Sequence, residues 1–330
     1  MKFGGTSVGS AERMAATAEI IRSARVPVVV VLSAMSGITN RLLEVAAGSL
    51  DRSVVAAHHK KVVAQLGLDT ALCDRIDEIL NAAHTQDETV ACGELLSTTI
   101  MQAFLSNLGI DAVWVPALDF MRTGTDGTPD TEFISEHACD ALQKAGRHQV
   151  YITQGFICRD ANGHVTTLTR GGSDYTATLL GEALRVSEVQ IWTDVDGVYT
   201  ADPRHIGGAR CIPDMSFGQA DTAARCGAKI LHPDCIRPAR RAGISVRVLD
   251  SFHPEAAGTR ISDIADAENF VAVAFDGTYV NIIGHDRNTS ASDVTNAAGV
   301  AASECDGYIR VSAGANAYEI MQTLHDKFVK

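Results

Sequence analysis

Two stretches place a glycine pair beside residues that can hold anions. The first is Lys2-Phe3-Gly4-Gly5-Thr6-Ser7 and the second is Thr169-Arg170-Gly171-Gly172-Ser173-Asp174. Paired glycines let a backbone turn tightly and approach an anion closely. Free N–H groups at a following helix start, with the helix dipole, favour phosphate. Lys2 adds a point charge. Arg170 can clamp a carboxylate through two parallel hydrogen bonds. After the second pair come a polar cap and a helix with Ala177, Leu180 and Leu184 on one face, which puts Asp174 in its first turn, where a negative charge is favoured. A single such loop is ordinary punctuation; two of them in one α/β domain point to anion handling. The first is not a Walker loop, because G-x-x-x-x-G-K-[ST] is absent.

Other stretches add chemistry of their own. Ile191 to Tyr199 reads as a strand running into an acidic turn, followed by Asp202-Pro203-Arg204. A nucleotide pocket needs a flat apolar surface and a few fixed polar groups. Tyr199 fits the first requirement, and Thr193, Asp194 and Arg204 fit the second. A solvated acidic turn is the plainer alternative, and the missing EF-hand spacing argues against calcium. Gly227-Ala228-Lys229-Ile230-Leu231-His232-Pro233 leaves Lys229 uncrowded, although a surface lysine is the usual reading of any one lysine. His232 has no partner at metal spacing. Ser33 to Asn40 follows the best strand at its carboxyl end, where open α/β sheets bind ligands. Cys92-Gly93-Glu94 puts Glu94 near the start of a long apolar helix; by itself it reads as a first-turn carboxylate.

The elements that must position these residues alternate between strand and helix over the first 250 residues. That predicts an α/β domain with a mainly parallel sheet. Pro27 to Leu32 is apolar and β-branched on both faces, as a central strand is. Ala112 to Val115, Val150 to Thr153, Val189 to Thr193 and Ser245 to Leu249 are further strands. Met14, Ala18 and Ile21 recur at helical spacing, as do Ile38, Leu42 and Val45, and Leu72, Ile76 and Leu80. Ser10 is placed to cap the first helix, with Glu12 in its first turn. Residues 250–269 read as a linker. Beyond them, Phe270 to Phe275 and Tyr279 to Ile283 predict a hairpin around Asp276-Gly277-Thr278. Tyr308 to Val311 predicts a strand, and Ala317 to Phe328 a closing helix with Ile320, Leu324 and Phe328 on one face.

The 330 residues make more than one typical domain and fewer than three, and 46% hydrophobic with 21% charged residues is globular composition. A net charge of -12 argues against a general nucleic-acid or anionic-membrane binder. The eight cysteines show neither C-x-x-C pairs nor zinc spacing and read as reduced thiols of a cytoplasmic protein. The opening residues lack the apolar stretch of a signal peptide. Val26 to Ala34, the longest apolar run, is too short to span a membrane.

Taken in order, Lys2 to Ser7, Ser33 to Asn40, Gly93-Glu94-Leu95, Arg170 to Thr176, Thr193 to Arg204 and Gly227 to Pro233 resemble the aspartate kinase branch of the amino acid kinase family. The resemblance implies an open αβα sandwich over residues 1–262 and a short ACT-like α+β domain over 267–330. It implies transfer of the γ-phosphoryl group of ATP to the β-carboxylate of L-aspartate, the first step towards lysine, threonine and methionine. Lys2 and Lys229 become the cations on the transferring group, with Asp174 holding them in place. Gly4, Gly5 and Thr6 become the phosphate cradle. Thr193, Asp194, Tyr199, Arg204 and Ile230 match the nucleotide pocket; Ser33, Thr39, Glu94, Arg170 and Ser173 match the aspartate positions. Mg²⁺ is expected mainly on the ATP phosphates, without dedicated protein ligands, and the assembly is expected to be a homodimer.

The chain departs from the family pattern in two places. Lys2 has little strand before it, and the tail has room for about one small module where two are usual. The polar run Gly284 to Ser290 stands where an effector loop is expected, which predicts weak or absent feedback by lysine or threonine. The competing readings are a kinase of glutamate or an N-acylated amino acid on the same fold, and a catalytically silent regulatory relative. Glu94 and Arg170 favour a free amino acid, and retention of Lys2, Asp174 and Lys229 favours catalysis. A dinucleotide-dependent dehydrogenase is disfavoured, since no G-x-G-x-x-G follows the first strand.

Overall fold

The computed structural model of the chain describes all residues except 169–170, 229–230, 265–270, 285–288 and 330. It divides into two compact units, Met1–Val195 with Asp250–Pro254, and Asp196–Leu249 with Glu255–Lys330.

The first unit is built on parallel strands in the order Glu188–Thr193, Lys2–Phe3, Val28–Leu32, Val150–Gln154 and Ala112–Trp114. Val28–Leu32 lies inside this row, as its β-branched run predicts, and Val30, Val31 and Leu32 are buried. The register pairs Phe3 with Leu32 and Trp192, and Leu32 with Gln154. The residues that follow, Gly4, Ser33, Gly155 and Thr193, therefore line one carboxyl edge.

Helices form where the apolar spacing asks for them. Ala11–Arg22 buries Met14, Ala18 and Ile21, and the Ser10 hydroxyl accepts a hydrogen bond from Arg13 N at 3.2 Å. Ile38–Ala46 and Ala71–Asn81 match the other two periodicities. Arg52–Gln65, with no sequence expectation attached, buries His59 among Val55, Val62 and Val63. The long helix Gln86–Asn107 begins earlier than the Cys92-Gly93-Glu94 reading placed it, because Thr85 and Glu88 form a reciprocal capping box. Glu94 consequently sits deep in the helix rather than in its first turn.

The second unit joins Asp214–Ser216 and Thr259–Ser262 in parallel, and Ser245–Asp250 antiparallel to Thr259–Ser262. Part of the stretch read as a linker is thus a strand. Thr259, Ile261 and Ser262 are buried while Arg260 is exposed, so its polar composition hid a half-buried pattern. A four-stranded antiparallel sheet follows in the order Ala272–Phe275, Tyr279–Ile283, Tyr308–Ser312 and Ala302–Cys305. It carries the predicted hairpin, with Phe275 opposite Val280, and the closing helix Ala317–Phe328. Phe270 and most of the polar run after Gly284 lie outside the described residues. Val273, Val280, Ile282, Ile309, Val311, Met321 and Leu324 form a core that also takes in Ala201 and Ile206.

Candidate active site

Lys2 lies on a strand between two parallel neighbours, and only 8% of its surface is exposed. A buried ammonium needs a partner. Asp174 supplies it, with Oδ1 2.7 Å from Lys2 Nζ. Asp174 stands in the first turn of helix Gly172–Leu184. That helix opens without the polar cap the sequence suggested: Gly171 is the cap residue, at φ 74°, a conformation glycine adopts without strain. The helix start presses onto the edge of the sheet. A Cβ on Gly155 would fall 2.5 Å from Ser173 Cβ, and Ser173 is buried there.

The first glycine pair lets neighbouring backbones come close together. Gly4 N donates to Trp192 O at 3.1 Å, which extends the ladder by one residue. A Cβ on Gly4 would lie 3.6 Å from Lys2 Nζ, and one on Gly5 would lie 2.8 Å from Ala34 O. Gly5 O accepts from Ser36 N at 3.1 Å. The backbone after Lys2 and the backbone after the central strand are thus in direct contact, with Thr6 exposed at the outer end. Ser33 joins the same edge: its N–H donates to Phe3 O at 3.2 Å, and its carbonyl accepts from Ser97 Oγ at 2.8 Å.

Glu94 is the unusual group. It is 2% exposed, and Oε1 accepts from Ala34 N at 3.0 Å. Oε2 is buried and has no hydrogen-bond partner among the described residues. Burial pushes the carboxyl up to about 8, against the opposing pull of the Ala34 N–H and the Lys2 charge. A buried acceptor with nothing to accept from is costly, and an ammonium would satisfy it. Gly93 makes this depth possible, since a Cβ there would fall 2.7 Å from Ala34 Cβ and 3.6 Å from Ile38 Cγ2. Thr39, half-buried, follows Ile38 in the helix that starts after Gly37.

Thr193 closes the strand beside Lys2–Phe3, and its hydroxyl donates to Asp194 Oδ1 at 3.1 Å. Its carbonyl accepts from Ser251 N and Ser251 Oγ, both at 2.9 Å. Ser251 also meets Ser7 Oγ at 2.7 Å and Arg13 Nη2 at 3.1 Å. This clasp of Ser7, Arg13 and Ser251 went unnoticed in the sequence, because Ser251 lies more than 230 residues from the other two. Gly155 was missed as well, although a glycine directly after an apolar strand is a legible sign of close approach.

In the second unit, Tyr199 donates to Asp196 Oδ1 at 2.5 Å. The Arg204 guanidinium grips both oxygens of Asp202 at 2.9 and 2.6 Å and holds that carboxyl down to about 2. Arg170, Lys229 and Ile230 lie outside the described residues. Among the described residues, no three His, Cys, Asp or Glu side chains gather as metal ligands, and no helix is long and apolar enough to cross a membrane.

An α/β sheet whose carboxyl edge carries glycine turns, a buried Lys–Asp pair and a buried carboxylate is built to handle a charged small molecule together with an anion. Residues 1–250 match the amino acid kinase family, and the chain belongs to it. It is 37% identical over 286 residues to the lysine-sensitive aspartokinase 3 of Escherichia coli, covering 79% of this chain and 63% of that protein. It is 35% identical over 301 residues to the chloroplastic aspartokinase 1 of Arabidopsis thaliana, covering 81% and 52%. The crystal structure of E. coli aspartokinase III in complex with aspartate and ADP, in its R-state, superposes with a TM-score of 0.73 at 31% identity, over 99% of this chain and 82% of that one. The chain thus spans between half and two thirds of the length of these curated relatives.

Proposed function

We propose that the protein is an aspartate kinase, transferring the γ-phosphoryl group of ATP to the β-carboxylate of L-aspartate and yielding 4-phospho-L-aspartate and ADP. The observation that carries this reading is Glu94: a buried carboxylate with an open oxygen, on the same sheet edge as the Lys2–Asp174 pair. One feature suits an amino acid's ammonium and the other a phosphoryl group.

The nucleophile is itself a carboxylate, ionised at neutral pH with a reference pKa of about 3.9, so no general base is required. A carboxylate oxygen forms the new bond to Pγ while the bond from Pγ to the β,γ-bridging oxygen breaks, and ADP leaves with that electron pair. Like charges about 4 Å apart repel by roughly 4 kcal/mol at an effective dielectric of about 20, and this opposes the approach. Lys2, fixed by Asp174, offsets that repulsion on the phosphoryl oxygens, and the Gly4-Gly5-Thr6 backbone cradles the phosphates. Mg²⁺ carried on those phosphates would supply further charge neutralisation, in keeping with its habit of taking few protein ligands. Glu94 takes the α-ammonium, with Ser33, Thr39 and Ser173 beside the substrate. Resemblance alone assigns Arg170 to the α-carboxylate, Lys229 to the phosphoryl group, and Tyr199, Arg204 and Ile230, with Thr193 and Asp194, to the nucleotide. The same reading carries the domain limits 1–262 and 267–330, a homodimer and a cytoplasmic location.

An ATP-dependent hydroxamate assay tests it, because hydroxylamine traps acyl phosphates. Signal with aspartate but not with glutamate or N-acetylglutamate is the expected result. Signal with another acid keeps the mechanism and replaces the substrate. Nucleotide binding with no signal from any acid favours a silent relative.

A further inference from the structure

We infer that the tail sheet and closing helix are a working part of the nucleotide-binding region, with Gln322 and His325 as positioning residues for the loop that carries Arg204. The inference rests on the nucleotide role proposed above for Tyr199 and Arg204. The loop runs between Val198–Tyr199 and Cys211–Ile212, which pair antiparallel. A surface loop of this kind is mobile unless something ties it down.

The ties come from the tail. Val273 N donates to Thr200 O at 2.7 Å. Thr200 Oγ1, which also accepts from Arg210 N at 3.0 Å, shares a buried hydrogen bond of 3.0 Å with His325 Nε2. Further along, Gln322 brackets one peptide unit: Oε1 accepts from Gly207 N at 2.8 Å and Nε2 donates to Gly207 O at 3.1 Å. His205 stacks on Tyr318 with ring centroids 4.3 Å apart. Ala201 and Ile206 are 4% and 1% exposed and sit inside the tail's own core. Asp202 and Arg204 lie between these pinned positions. A second stretch is held from the same side. Gly227, at φ 93°, packs so closely under the tail hairpin that a Cβ would fall 2.5 Å from Phe275 O. Asn281 Nδ2 donates to Cys226 O at 3.1 Å, three residues before Lys229.

Fixing side chains before a ligand arrives lowers the ordering cost of binding. If the tail does this for the nucleotide loop, loosening a tie weakens nucleotide binding selectively. The test uses full-length Gln322→Ala, Gln322→Glu, His325→Asn and Thr200→Val, with the ADP dissociation constant measured by calorimetry and the KM for aspartate measured alongside. Gln322→Ala removes two bonds to the loop from a half-buried position and leaves the core intact. Each lost hydrogen bond weakens ADP by about two- to tenfold, with the KM for aspartate unchanged within about twofold. Gln322→Glu, which retains the acceptor for Gly207 N, falls between wild type and Gln322→Ala. Combining Thr200→Val with His325→Asn gives less than the product of the single effects, because both break one bond. Variants that melt earlier but bind ADP with wild-type affinity overturn the inference and leave the kinase reading standing. A wild-type chain that binds no ADP removes the reading itself, and the inference with it.

Discussion

Lys2 and Glu94 face opposite problems, and each gives a measurable consequence. Lys2 is a buried cation paired with Asp174 at 2.7 Å. On the proposed mechanism its loss removes charge from the phosphoryl group in the transition state, so Lys2→Ala should lower kcat by about a hundred- to a thousandfold, as removal of one electrostatic donor typically does. Near-normal turnover would sink the assignment. Glu94 is a buried acid whose carboxyl is pushed up to about 8. At neutral pH Glu94 therefore keeps its proton, and on the proposed reading an incoming ammonium must displace it. Aspartate should bind more tightly as pH rises from about 6 to about 8, up to about tenfold per unit, and Glu94→Gln should flatten that profile while weakening binding. The stability of the free protein runs the other way. The folded state keeps this proton longer than the unfolded chain does, so stability falls as pH climbs from the ordinary carboxyl range to about 8. Urea titrations of wild type and Glu94→Gln across that range would show the difference. The candidate residue was legible as Glu94 in a Gly-Glu pair. Its burial was not, because the capping box that starts the helix at Gln86 was overlooked and the carboxylate read as a first-turn group.

At the level of elements, the strands and helices with unbroken patterns were readable. Val28–Leu32 declares itself through composition, and Ala317–Phe328 through spacing. Thr259–Ser262 failed to, since a short strand with an outward arginine looks like a polar connection. Close approaches between elements are legible only in part, because glycine marks them without naming the partner. Gly155 shows the gap: its meaning appears only when helix Gly172–Leu184 is seen to start against it. Gly155→Ala should force that helix start away from the sheet, costing about 1–3 kcal/mol and lowering Tm, and should reduce turnover as Ser173 and Asp174 shift. Thr85→Ala is the matched control. It should cost about 1 kcal/mol through the lost cap and leave the proposed turnover of the folded protein unchanged. Thermal melts and turnover measured on both variants would separate a positional effect from a loss of stability.

Across the whole molecule, one compact unit combines a stretch that precedes residue 262 with the tail that follows it. Residues 196–249 and the tail form one compact unit, with Ala201 and Ile206 in the same core as Val273, Ile282 and Ile309. Cooperative units open together, so native-state hydrogen exchange should give the amides of Ile206, Val273 and Ile282 similar opening free energies. Much faster exchange at Ile206 would mean that the loop is only draped on the tail. The sequence could not show this, because a buried Ala and a buried Ile in a polar loop look like incidental apolar residues until their cover is known.

The shared core also sets where this gene can be cut and spliced. A hybrid with a relative's tail joined near residue 265 would keep Ala201, Ile206 and Gly207 but bring foreign neighbours to Thr200 and Gly207, so crossovers there should give insoluble or nucleotide-blind proteins. Moving the junction back to about residue 195 lets the loop travel with the tail that holds it. In a library of random recombinants, survivors should inherit the 196–249 stretch and the tail from the same parent.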